Sequence, residues 1–253
     1  MAVNVNSAYR LREILSGLSD LKLDTTPVHE IWANAFNLDS DELHRKNFSI
    51  SRCLSDLHEE VEAVRSGMLE LNFSIDLFDT SLDACNRVFG VHTLMQHWSQ
   101  VVPNITPIVM NTLGFCSEIL PNEEDLIDGD NLDELRSMVN DLKSTINEST
   151  LPAHVINIIS KHISNIENAL ASYNIVGAKA FDEVIKAAYG EVIVNEDIFK
   201  EASGTKEMGL LKKVWNHTQT ALDGITSVNK RLGGVQGMAE KGHKLLELMD
   251  NVS

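Results

Sequence analysis

NLDELRSMVNDLKSTI, residues 131–146, is the stretch from which the fold class follows. Leu132, Leu135, Met138, Val139, Leu142 and Ile146 recur at steps of three and four, so they lie on one face of a helix. Asn131 supplies an N-cap for it. Ser149, Thr150 and Pro152 then stop and restart the chain. The following segment repeats the pattern with Val155, Ile159, Ile163, Ile166, Leu170 and Tyr173. Two amphipathic helices with so short a connection are expected to fold as an antiparallel αα-hairpin.

The same period extends toward both termini. Downstream, Gly177 separates the hairpin from a helix carrying Phe181, Val184, Ile185, Ala188 and Tyr189. Glu191–Val194 has strand-like composition but reads better as the end of that helix, and Asn195–Gly204 reads as a loop. Upstream, Ser7 to Ser19 carries Leu11, Ile14, Leu15 and Leu18 on one face, with Ser7 as N-cap. A short helix after Pro27 presents Val28, Ile31, Trp32, Ala35 and Phe36. Asp39–Lys46 is polar and fits a loop or a short helix. Ile50 to Arg65 is helical through Ile50, Leu54, Leu57, Val61 and Val64, with a break expected at Ser66-Gly67.

Residues 69–89 fit two templates. Leu71, Phe73, Ile75 and Leu77 alternate as a strand does, whereas Leu71, Ile75, Phe78 and Leu82 keep helical spacing. No partner strand is evident, which favours the helix. Val91–Val102 reads as a helix ending at Pro103, and Asn104–Leu120 as another with Pro107 in its first turn. The acidic stretch Pro121–Asp130 is the best candidate boundary.

The chain has 253 residues, enough for one large helical domain or two small ones. Pro is scarce, at five, and aromatics make up 6%, which argues against a sandwich or barrel built of many short strands. The expectation is therefore an all-α, multi-helix bundle of about nine to eleven helices. It divides into an N-terminal helical region at 1–120, a helical hairpin region at 131–200 and an amphipathic C-terminal element at 205–253.

That last element is distinguished by charge. Residues 205–253 carry seven Lys/Arg and five Asp/Glu, a formal +2, while residues 1–204 carry fourteen and thirty-two, a formal −18. Leu211, Val214, Trp215, Thr218, Leu222 and Ile225 form an apolar stripe. Gly233-Gly234 should kink it, at about 1 kcal/mol per glycine. It resumes at Val235, Met238, Gly242, Leu245, Leu246 and Met249. The candidate interaction or membrane surface is Trp215, Leu222, Ile225, Val235, Leu246 and Met249, with Lys230, Arg231, Lys241 and Lys244 around them. The competing reading packs this stripe against the protein's own acidic body.

Exclusions narrow the function. A net charge of −16 disfavours nucleic acid. No run of eighteen apolar residues supports a conventional spanning helix, and the N-terminus lacks the basic and apolar regions of a signal peptide. Cytoplasmic placement is the expectation. Cys53, Cys85 and Cys116 are odd in number and lack metal-ligand spacing, so they read as buried thiols.

The catalytic and metal motifs each fail on a residue. His58-Glu59-Glu60-Val61-Glu62 has Glu62 where a zinc protease needs its second His. Glu240-Lys241-Gly242-His243 has only Asp41-Glu42-Leu43-His44 as a loose second copy for a di-iron site. An EF-hand in the acidic stretch would place Leu126 at a ligand position. His92 and His97, five apart, do not share a helical face cleanly. No catalytic, cofactor or metal residue is assigned.

By elimination, the chain is expected to be a non-enzymatic helical interaction protein, an adaptor or regulator with a protein partner. Two alternatives stand beside it. One is a membrane-associating effector whose amphipathic C-terminal helix is held by the acidic body. The other is an enzyme, metal-dependent or cofactor-free, whose site the sequence does not reveal.

Overall fold

A computed structural model describes residues 4–19, 21, 25–38, 43–124, 127 and 129–229. Among them are eleven α-helices and no β-strand, an all-α architecture. The chain divides into two compact units. Unit 1 holds residues 1–123 with Asn174–Gly177, and unit 2 holds 124–173 with 178–253.

Unit 1 is built from α1 (Ser7–Ser19), α2 (Val28–Ala35), α3 (Leu43–Glu70), α4 (Asp79–Val88), α5 (Trp98–Val101) and α6 (Pro107–Ile119), with single 3₁₀ turns between them. The faces expected for α1, α2 and α3 turn inward, whereas the helix favoured over 69–89 is not formed as one: the chain turns at Leu71-Asn72 and is α-helical again only from Asp79, leaving Leu71 and Ile75 exposed. Leu11, Leu15 and Leu18 of α1 meet Ile50, Leu54, Leu57, Val61 and Val64 of α3 in one core. Trp32 lies at its centre, stacked on Phe36 at 5.2 Å and edge-on to Trp98 at 6.4 Å.

Three further sequence expectations are corrected in this unit. The expected break at Ser66-Gly67 is absent, and α3 continues to Glu70. A Cβ on Gly67 would stand 2.7 Å from Leu120 Cδ2, so the glycine permits close packing against the end of α6. That packing outweighs its helix propensity. The chain leaves α3 at Asn72, whose φ of 60° reverses the backbone. Second, Val91–Val102 is not one helix. The amides of Val28 and His29 donate to the carbonyls of Gln96 and Leu94, and Trp98 N donates to Thr26 O. Backbone groups of 94–98 committed to 26–29 in this way cannot also form a helical ladder. Third, α6 starts at Pro107 rather than Asn104, because the Thr106 hydroxyl accepts from Val109 N at 3.3 Å and caps it.

Arg10 pins the unit from inside. It is 5% exposed. Its Nη2 reaches Glu60 Oε2 at 2.6 Å and Glu123 Oε2 at 2.7 Å, and its Nε donates to Ile175 O at 3.0 Å. Glu123 also accepts from Ser7. Glu60 is buried with Arg10.

Unit 2 contains α7 (Gly129–Asn147), α8 (Ala153–Val176, its last turn belonging to unit 1), α9 (Lys179–Val194), α10 (Glu196–Glu201) and α11 (Lys206–Asn229). Leu132, Leu135, Val139, Leu142 and Ile146 are buried with Val155, Ile159, Ile163, Ile166, Leu170 and Tyr173, as the opening pattern requires. Lys143 of α7 pairs with Glu167 of α8 at 2.7 Å. The helix lying closest along α7, however, is α11. Ser149 bonds Glu207 just past the end of α7, and His217 Nε2 donates to Asn131 O near its start, so α7 and α11 run antiparallel. Gly177 follows α8 at φ 67°, the left-handed conformation that ends helices. Glu191–Val194 is the end of α9 as expected, whereas Asn195–Gly204 contains the short α10 instead of a simple loop.

Candidate functional site: an apolar face of unit 1

The candidate site begins where α3 ends. Leu69, Leu71, Ile75 and Leu77 are all exposed, and Phe115 and Ile119 on α6 join them, with exposures of 36–58%. Two contacts bring the segments together. Gly67 lies against Leu120, and the rings of Phe73 and Phe115 meet edge-on at 5.9 Å. Together the exposed side chains contribute about 500 Å² of apolar surface, the size of the largest apolar patch on a typical monomer, which is often functional. Ile108, 73% exposed, lies two turns before Phe115 on α6.

The local sequence explains why the face stays open. The inward position of each pair is already filled. Met68 and Phe78 are buried on one side of the 66–78 segment, while Val109, Leu113 and Cys116 are buried on the other side of α6. Apolar residues outnumber the positions the core can take. The strand-like alternation of Leu71, Phe73, Ile75 and Leu77 was the signal. It becomes a turn plus a 3₁₀ turn at Ile75–Leu77, which tips only Phe73 toward the core.

Elsewhere in unit 1 a cavity of about 250 Å³ lies between α3 and the end of α4. Ser51, Ser55, His58, Asn86, Leu54, Phe89, Gly90 and Val91 line it, and His58 Nδ1 is 2.8 Å from Asn86 Oδ1. No charged nucleophile, acid or metal ligand joins the pair. The His92 ring lies against Gly90 and His97 Nδ1 against Thr25 O, so these two histidines serve different neighbours. Cys53, Cys85 and Cys116 are buried free thiols. Burial pushes them up to about 12, about 12 and about 11, respectively, so they are poor nucleophiles.

Unit 2 contains a group the sequence did not single out. His162 is fully buried, and neither ring nitrogen has a hydrogen-bond partner among the described residues. Phe199 and Trp215 approach its ring edge-on at 6.0 and 5.7 Å. Glu191 Oε2 is 3.9 Å from Nε2, while Oε1 of the same carboxylate holds Lys161 at 2.9 Å. Burial lowers His162 to about 4, against the pull of Glu191 and with the help of Lys161. Glu124, in the acidic stretch read as the candidate boundary, is buried and accepts from Ala178 N at 2.6 Å.

Of the sequence-derived candidate surface, Trp215 is buried in the core of unit 2 together with Leu211 and Val214. Leu222 and Ile225 lie on α11. Lys230, Arg231, Val235, Lys241, Lys244, Leu246 and Met249 lie outside the described residues, as do the Gly233-Gly234 kink and His243. Among the described residues, no helix is long and apolar enough to cross a membrane. No known protein family, curated protein or solved structure matches this chain.

Proposed function

We propose that this chain is a non-enzymatic helical interaction protein, an adaptor or regulator that binds a protein partner through the apolar face of unit 1. The observation that supports the reading is the exposed cluster of Leu69, Leu71, Ile75, Leu77, Phe115 and Ile119, joined by the Phe73–Phe115 contact. A standard interface buries about 800 Å² per partner. About 500 Å² of apolar surface is the right size for the centre of such a patch, where binding energy concentrates. Removing that area from water contributes on the order of 10 kcal/mol before the costs of association.

The test places a photo-crosslinking residue at position 77 of the full chain, with a control at Asn140, an exposed position on α7. The adduct specific to position 77 is identified, purified and titrated against the wild-type chain and Leu77→Ser. A partner whose affinity falls at least tenfold in the variant supports the reading. Equal adducts at both positions, or an affinity that Leu77→Ser leaves unchanged, refute it.

A further inference from the structure

We infer that the partner presents a basic amphipathic helix to this face. The inference rests on the interaction reading above and specifies the chemistry of what is bound.

From Ser66 to Pro121 the chain has one arginine, Arg87, and no lysine, against five carboxylates: Glu70, Asp76, Asp79, Asp83 and Glu118. Arg65 neutralises two of these, pairing with Asp79 and with Asp83 at 3.0 Å. Arg87 is turned to Asn104, whose Oδ1 accepts from its Nε at 3.1 Å. Glu70, Asp76 and Glu118 remain, all exposed and in no ion pair among the described residues. Glu70 stands between Leu69 and Leu71, Asp76 between Ile75 and Leu77, and Glu118 next to Ile119. Each apolar segment of the face thus carries a carboxylate in its sequence, Glu118 lying one helical turn from Phe115, while Arg12 of α1 lies against Gly114 beside the α6 part.

This pattern selects among occupants. A second copy docking through the same patch would set these carboxylates against themselves. An anionic lipid surface is repelled in the same way. The described residues hold no β-strand, so no sheet edge is available to pair with an extended peptide. The surface is instead an apolar face where the end of α3 meets α6, which the apolar stripe of an amphipathic helix can cover. Such a helix meets the leucines with its apolar stripe and the three carboxylates with flanking Lys or Arg. Rim charges of this kind steer the encounter and set partner choice more than they add affinity.

Three synthetic helical peptides of about four turns test this against the full chain by fluorescence anisotropy. All carry the same leucine stripe, and they differ only in their flanking residues: Lys, Gln or Glu. At 50 mM NaCl the Lys peptide should bind at least tenfold more tightly than the Gln peptide and the Glu peptide least. The differences should shrink at 500 mM. Leu77→Ser and Ile75→Ser, both at exposed positions, should weaken the Lys peptide at least fivefold. Glu70→Lys/Asp76→Lys/Glu118→Lys should reverse the order of the Lys and Glu peptides.

Equal binding of the three peptides, still sensitive to Leu77→Ser, overturns the charge inference and leaves the interaction reading standing. Binding of the Lys peptide that neither apolar variant changes places it elsewhere on the acidic surface and also overturns the inference. Failure of every peptide to bind counts against the interaction reading itself. A dimer by light scattering that Leu77→Ser dissociates makes a second copy the occupant.

Discussion

Acidification should destabilise unit 2 through His162. The imidazole is fully buried, and burial lowers its pKa from 6.5 to about 4. The fold therefore favours the neutral ring, and between pH 6.5 and 4 the unfolded chain takes up the proton first. Stability from this group is complete above pH 6.5 and is lost as the pH falls through that window. Linkage with those two values gives a loss of about 1 kcal/mol on going from pH 7.5 to 5.5, growing to roughly 2–3 kcal/mol at pH 4.5. Protonation would gain attraction to Glu191 at 3.9 Å, but that carboxylate is already shared with Lys161. His162→Phe keeps an aromatic ring between Phe199 and Trp215 and removes the titration. Urea unfolding of both proteins at several pH values gives the difference in stability between them. That difference should shift by about 1 kcal/mol between pH 7.5 and 5.5, with the wild type losing more. An NMR titration of the histidine rings, with His162 assigned from the variant, reads the same quantity directly. A stability difference constant within about 0.5 kcal/mol across that range, or a His162 ring that titrates near 6.5, would refute the reasoning.

Three other outcomes follow from the interior. Arg10→Ala leaves Glu60 buried without its cation and should cost about 3–5 kcal/mol in urea unfolding, whereas a loss under about 1 kcal/mol would mean the cluster relaxes into water. Trp215→Ala should cost about 3–5 kcal/mol, since the indole belongs to the core of unit 2; a neutral substitution would return Trp215 to the candidate surface. The three thiols should resist a disulfide reagent at pH 8 in the native protein and react fully in denaturant, with thiol release followed by absorbance. Rapid reaction of any one in the native state would contradict its burial.

The candidate face was half legible in the sequence. The alternation of Leu71, Phe73, Ile75 and Leu77 departs from helical spacing, but alternation does not say which residues water will reach. That depends on how many inward positions α3, α4 and α6 leave, and Met68, Phe78 and Leu113 take them. The carboxylates at 70, 76 and 118 were visible as composition. Their relation to one apolar surface depends on the Phe73–Phe115 contact, which joins residues 42 apart.

What the sequence determined alone is the helical class and the inward face of most helices. The helical spans Ser7–Ser19, Leu132–Ile146 and Val155–Tyr173 stand as read, because a 3.6-residue period is a property of each segment by itself, but their caps do not: Asn6 Oδ1, not Ser7, accepts from Tyr9 N, and Asn131 lies inside α7, which starts at Gly129. Tertiary structure decided what depends on a distant partner. Leu120 makes Gly67 a packing position inside α3. Residues 26–29 take the backbone bonds that would have extended a helix over 94–98. Glu60 is buried because Arg10 reaches it across 50 residues, and His162 is held neutral by the rings around it. A sequence read locally specifies which residues seek cover. Which of them find it, and which charges are drawn inside with them, is set by contacts that form only when distant segments meet.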